Sequence, residues 1–315
     1  MRMLVRALIF LCLLNCVAGA AERVRIGFPD LAAQFAPLPL AQQKGFFEEE
    51  GIQAEFIRMV PTVGAAALSN GDIDYYLSNG VGVTAAIRGA PVKVVAGYVT
   101  SSAVALIARP EFKSVQELNG RSIATSSFGG PLDVIARLIF RHFGLDSENI
   151  KFLALGPADA RLAGMKQGIV AATLGSPPTE FLGTKMGFVI LAKAHELFSY
   201  PLSGLVTSVR KIRERPDQIK HVIKAGIKGN RYIRQNRDGT VQIMTDWLKI
   251  NKELAGAAYD AVVKAFSVDG SVPEDGLRLL IDEARKTLKV TREVSPGEVS
   301  DFSALHNAQR EMGIR

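Results

Sequence analysis

The stretch SIATSSFGGPLDVIARLIF, residues 122–140, places two hydroxyls, an aromatic ring and two glycines where a helix begins. Helix N-termini carry unpaired N–H groups and a partial positive charge. Ser126, Ser127, Phe128 and Gly129 therefore suit a polar or anionic head group. An ordinary cap-and-turn would look the same. Asp30, Gln34 and Phe35 follow the first apolar stretch and offer a carboxylate for a ligand amine, an amide, and a ring that could stack on a flat ligand. Asp30 could equally be a simple turn former. Thr62 precedes one helix, and Ser78 and Asn79 precede the next, so these three either cap or contact a ligand. Ser176 and Thr179 flank two prolines after a later strand, and Ser101 lies near Tyr98 in a segment that could be a hinge.

Catalytic chemistry finds no matching set. His142, His195, His221 and His306 are dispersed, without HExxH or other metal spacing. Neither a GxSxG elbow nor a phosphate or dinucleotide loop occurs. The two cysteines, Cys12 and Cys16, lie in MRMLVRALIFLCLLNCVAGA, which has two arginines, an apolar run and then small residues. This reads as a secretory signal cleaved after Ala20. The run is shorter than the roughly 20 residues that span a bilayer. Asn15 before Cys16 and Leu11 before Cys12 do not fit a lipidation site. The mature chain would hold no cysteine, which excludes disulfides, thiolate nucleophiles and thiolate-bound metals. No catalytic residue, metal or cofactor is expected.

The elements that must position the candidate residues follow from periodicity. Apolar strands alternate with helices from residue 24 to about residue 192, the pattern of βαβ units. Strands are predicted at 24–28, 54–59, 73–77, 92–99, 104–110, 121–125, 151–155, 169–174 and 187–192. Helices are predicted at 39–47, broken at Gly45, and at 64–69, 81–88, 131–143 and 158–167. Ser114 and Glu117 have capping-box spacing. From about residue 211 the chain turns helical, at 216–237, 240–250, 254–266 and 273–288. NGDIDYYLSNG (70–80) echoes QGIVAATLGSP (167–177), and VRIGFPD (24–30) echoes RSIATSS (121–127). Two similar lobes would then face each other across a cleft at the carboxyl ends of their strands. The formal charge is +7, and +5 without residues 1–20. Its basic residues are spread out, so no nucleic-acid partner is expected.

AQQKGFFEEEGI (41–52), LSNGDIDYYLSNG (68–80) and SVQELNGRSIATSSFGG (114–130), in this order and spacing, carry a family resemblance. The chain resembles the periplasmic substrate-binding proteins of ABC importers, in the nitrate/sulfonate/taurine and thiamine-precursor (SsuA/THI5-like) group. One departure is Ala171-Ala172, where that family often has Asp-Ala. The resemblance implies an α/β, two-lobe type II periplasmic-binding fold with a helical C-terminal region. Residues 1–20 would be the signal, 21–101 the first part of lobe one and 102–203 lobe two. Residues 204–315 would complete lobe one and add the C-terminal helices. Crossings are expected at 98–104 and 200–206. The implied function is non-enzymatic capture, by a periplasmic monomer, of a small polar organic molecule such as a sulfonate, taurine-like compound or pyrimidine. Its partners would be that ligand and an inner-membrane permease with its ATPase. A ligand-sensing partner of a membrane receptor is the alternative. Pyrimidine-forming enzymes of this fold use a cysteine-rich stretch that the mature chain would lack.

Overall fold

The computed structural model describes residues 21–314, so the expected signal lies outside the described residues. In chain order the strands are β1 (Glu22–Phe28), β2 (Ile52–Arg58), β3 (Tyr75–Leu77), β4 (Val92–Gly97), β5 (Ala105–Ala108), β6 (Ser122–Thr125), β7 (Lys151–Ala154), β8 (Ala172–Gly175), β9 (Val189–Lys193) and β10 (Gly204–Ser208). The helices of the two strand-rich parts are α1 (Pro37–Gln43), α2 (Phe46–Glu49), α3 (Pro61–Asn70), α4 (Asn79–Ile87), α5 (Pro131–His142), α6 (Ala158–Lys166) and α7 (Thr179–Lys185). The tail adds α8 (Val209–Glu214), α9 (Pro216–Gln235), α10 (Arg237–Leu248), α11 (Lys252–Val262), α12 (Glu274–Leu288), α13 (Pro296–Val299) and α14 (Ser303–Glu311).

Two five-stranded sheets result, in the orders β2-β1-β3-β10-β4 and β7-β6-β8-β5-β9. The first three strands of each are parallel. In each sheet the fourth strand runs antiparallel to both neighbours and has just crossed from the other sheet: β5 after residues 98–104, β10 after residues 194–203. The sequence echo is therefore a topological one, because the strands within 70–80 and 167–177, β3 and β8, hold the same third position. Both are buried along their whole length, as continuous apolar runs covered on both faces must be.

Local chemistry explains where the helices sit. Pro61 occupies the first turn of α3, and Gly71, at φ +83°, ends it. A Cβ on Gly64 would lie 2.1 Å from the Tyr76 ring, so α3 lies this close to the sheet only with glycine there. In α9, Ile219, Val222, Ile223 and Ile227 form the buried stripe that the sequence periodicity predicts.

The helices Thr179–Lys185, Val209–Glu214, Pro296–Val299 and Ser303–Glu311 add to those predicted from the sequence, and other details differ. Residues 204–208 form a strand that closes the first sheet, although 200–206 reads as connecting chain. Its five residues follow a Pro-Leu-Ser stretch too closely to show alternation. Residues 169–171 precede β8, because the Ile169 N–H bonds to the Gly164 carbonyl and finishes the α6 turn. Ser114 and Glu117 do not make a reciprocal box: the Ser114 hydroxyl donates to Glu117 Oε1 at 3.2 Å, and only a 3-10 turn follows. A true capping box stands at Ser295 and Glu298.

Candidate functional site

Strands β1, β2, β6, β7 and β8 deliver their carboxyl ends to the gap between the sheets. Each leads into a helical N-terminus there: a 3-10 turn at Ala33–Phe35, then α3, α5, α6 and α7. These turns surround a cavity of about 320 Å³. Pro29, Asp30, Gln34, Phe35, Met59 and Pro61 line it from the first lobe. Ser126, Pro131, Leu132, Arg161, Ser176 and Thr179 line it from the second. The lobes touch beside it, where the Ala33 N–H donates to the Pro177 carbonyl at 2.9 Å. Across the α5 end, Arg141 pairs with Glu283 of α12, and the buried Glu283 carboxylate also holds Lys286 at 3.0 Å.

Asp30, Gln34, Phe35, Ser126, Ser176 and Thr179 are thus brought to one cavity. The Asp30 carboxylate takes the Leu31 N–H at 2.9 Å and an ion pair from Arg58, so it shapes its own turn while facing the cleft. Gln34 is 3% exposed, and its Oε1 has no partner among the described residues. Thr62, Ser127, Phe128 and Gly129 line a neighbouring groove of about 230 Å³ between α3, α4 and the turn before α5. Phe128 is 61% exposed there, and the buried Ser127 hydroxyl has no partner among the described residues. Ser78 and Asn79 are fully buried away from both. The Asn79 amide donates to the Pro201 carbonyl at 2.9 Å and ties α4 to the returning chain. Ser101 is half-buried in the crossing and lines neither space.

The N-terminus of α5 carries its own counter-charge. Asp133, almost fully buried in the first turn, accepts the Gly129 N–H at 2.8 Å and pairs with Arg137 at 3.3 Å. That carboxylate already offsets part of the positive end of the helix.

Arg58 and Arg161 are functional candidates that the sequence reading did not nominate. Arg161 is 1% exposed; its terminal nitrogens donate to the Gly156 and Leu174 carbonyls. Its Nε has no partner, and no carboxylate stands within ion-pair distance among the described residues. Burial pulls its pKa below the ordinary arginine value, opposed most by the field of Asp30. A sequence signal existed: Arg161 sits four residues before Met165, hence on the face of α6 that goes inward. Beside the cavity, burial pushes the Glu180 carboxyl up to about 7. Among the described residues no three His, Cys, Asp or Glu side chains gather as metal ligands, and no helix is long and apolar enough to cross a membrane.

The pattern of the NMT1/THI5-like family matches residues 32–239. Solved structures resemble the whole fold. The alkanesulfonate-binding protein SsuA from Xanthomonas axonopodis pv. citri, bound to MOPS, aligns with a TM-score of 0.75 at 18% identity, over 92% of this chain and 99% of that one. The ligand-binding component of an ABC-type import system from Staphylococcus aureus aligns at 0.76 and 13% identity, over 92% and 99%. The desulfurization enzyme DSZB shares the fold at 0.69 and 13% identity, again over 92% and 99%. No curated protein matches the chain in sequence. With paired sheets, a cleft at their carboxyl ends and a family match across most of both, the chain belongs to the NMT1/THI5-like family and has the two-lobe periplasmic-binding fold.

Proposed function

We propose that the chain is the periplasmic solute-binding component of an ABC import system. It takes a small polar organic molecule between residues 21–101 with 204–315 as one lobe and residues 102–203 as the other. The observation that carries this reading is the cavity of about 320 Å³ between the sheets, walled by residues of both lobes. Ligand contacts to both walls exist only when the lobes are closed, so ligand binding supplies the free energy that favours closure. A closed surface is then what a permease would recognise. The sulfonate-binding and import-system proteins of the same fold support the reading, and the secretory signal read at residues 1–20 supports a periplasmic location. Asp30, Gln34, Phe35, Ser126, Ser176 and Thr179 are the proposed contacts. The test is the melting temperature of the purified protein against sulfonates, nitrate, pyrimidines, amino-acid-like compounds and aromatic acids. A rise with one class supports capture, and a flat response to every class overturns it.

A further inference from the structure

The two sheets are equivalent strand for strand, and their hydrogen bonds fix which residues correspond. The Asp74 N–H donates to the Arg25 carbonyl at 2.9 Å, and the Ala171 N–H donates to the Ser122 carbonyl at 2.8 Å. In register on the outer strand, Arg25 pairs with Glu55 and Ser122 pairs with Lys151. At the end of the sheet away from the cleft, the first lobe therefore holds Glu55, Asp72 and Asp74 where the second holds Lys151, Ile169 and Ala171. An acidic sheet end in one lobe is basic and apolar in the other.

The first lobe closes this end with its own chain. Asp74 accepts the Arg25 N–H at 2.7 Å and pairs with Lys211 of α8 at 2.8 Å. Glu22 pairs with Arg215 at 2.6 Å and accepts the Gln218 amide of α9 at 2.7 Å. The basic start of the tail thus lies on the acidic sheet end. The same end of the second lobe is an open recess of about 750 Å³. Three cations, Arg109, Arg121 and Lys151, and two carboxylates, Glu111 and Glu117, line it. Both carboxylates are engaged within the loop after β5: Glu111 pairs with Arg109, and Glu117 accepts the Lys113 N–H at 2.9 Å and the Ser114 hydroxyl at 3.2 Å. Arg121 lies over the Phe112 ring at 5.7 Å. Among the described residues no carboxylate stands within ion-pair distance of Arg121 or Lys151. Ile169, 54% exposed, stands at the edge in the place of Asp72.

We propose that this recess is a docking site for an acidic segment of a partner protein, whose carboxylates take the place that Asp74 holds in the first lobe. Acidic side chains of the segment meet Arg121 and Lys151, and an apolar one covers Ile169. The recess lies at the opposite end of the sheet from the cavity, so the proposal does not depend on the solute-receptor reading. Ion pairs at so open a place are screened by salt, which makes the docking reversible and sensitive to ionic strength.

Fluorescence anisotropy with a labelled Glu-Leu-Glu-Glu-Leu-Glu peptide and its Gln-Leu-Gln-Gln-Leu-Gln counterpart tests the proposal. The acidic peptide should bind the wild-type protein about tenfold or more tighter than the neutral one, and should weaken as salt is added. Lys151→Glu should weaken it about tenfold or more, whereas Lys264→Glu, an exposed reversal on the tail, should change nothing. Ala171→Asp, which gives the second lobe the carboxylate of the first, should weaken it as much with no loss of melting temperature. No binding to the wild-type protein, equal binding of the two peptides, or unchanged affinity in Lys151→Glu overturns the proposal. Binding of phosphatidylglycerol vesicles or of free glutarate without binding of the acidic peptide also overturns it, and makes the occupant a membrane or a small solute. Self-association in sedimentation that Lys151→Glu abolishes overturns it in favour of a second copy of this chain.

Discussion

The Asp133 carboxylate accepts the Gly129 backbone N–H at 2.8 Å, so the polar turn that opens α5 already contains an anion. Its side chain is almost fully buried, and Arg137 one turn on completes the cluster. Asp133→Ala should lower stability by about 1–2 kcal/mol through the lost cap, read by urea denaturation. Solute affinity should stay the same. A change in affinity with stability intact would instead make Asp133 part of the binding site.

Ser126 and Phe128 lie two residues apart and face different spaces, one the cavity and the other the neighbouring groove. Ser126→Ala should weaken solute binding by about fivefold, the loss of one neutral hydrogen bond of about 1 kcal/mol. Phe128→Ala should leave calorimetric affinity unchanged. Equal losses from both would mean that the groove and the cavity bind as one site.

Arg141 and Glu283 join the lobes at a distance from the cavity contacts. Arg141 is partly exposed, which limits the pair to about 1 kcal/mol. Glu283→Gln should shift the lobes toward the open arrangement, enlarging the radius of gyration in small-angle scattering. Solute affinity should fall by about fivefold, since closure is less favoured before any ligand contact changes. An unchanged radius with unchanged affinity would show that the pair does not restrain the lobes.

Glu180 should make stability depend on pH. Its ordinary value is 4.5 and burial raises it to about 7 in the folded protein. Between those values the folded state binds more protons than the unfolded state, so stability falls as pH rises through the window. Above about pH 7 the full cost applies, on the order of 3 kcal/mol. Glu180→Gln should therefore be more stable than wild type at about pH 8 and indistinguishable from it near pH 4. Parallel urea curves at all pH values would show that the carboxyl is solvated.

Much of the fold was legible because periodic burial governs it: the stripe of α9, the parallel strands and the echo of 70–80 in 167–177 all follow from apolar spacing. Strand β10 was not, because its pairing with β3 and β4 depends on residues more than a hundred positions away. Of the residues lining the cavity, Asp30, Gln34 and Ser126 were readable from their position after strands. Arg161 was missed because a charged residue in a short, weakly amphipathic helix reads as solvent-facing; only its register with Met165 marks it as buried. The capping role of Asp133 in the 126–130 turn was not readable, because it requires the folded geometry of Gly129.

The exchange of fourth strands imposes an order on assembly. The second sheet, β5 through β9, comes from one uninterrupted stretch of chain. The first cannot place β4 beside β3 until β10 arrives to fill the position between them. Long-range pairing of this kind is slow, because loop-closure entropy is lost before the contacts form. In chain order every strand of the second sheet precedes β10, the strand that β3 and β4 both need as a neighbour. Truncation just before residue 204 would keep every strand of the second sheet and leave the facing edges of β3 and β4 without the strand that joins them.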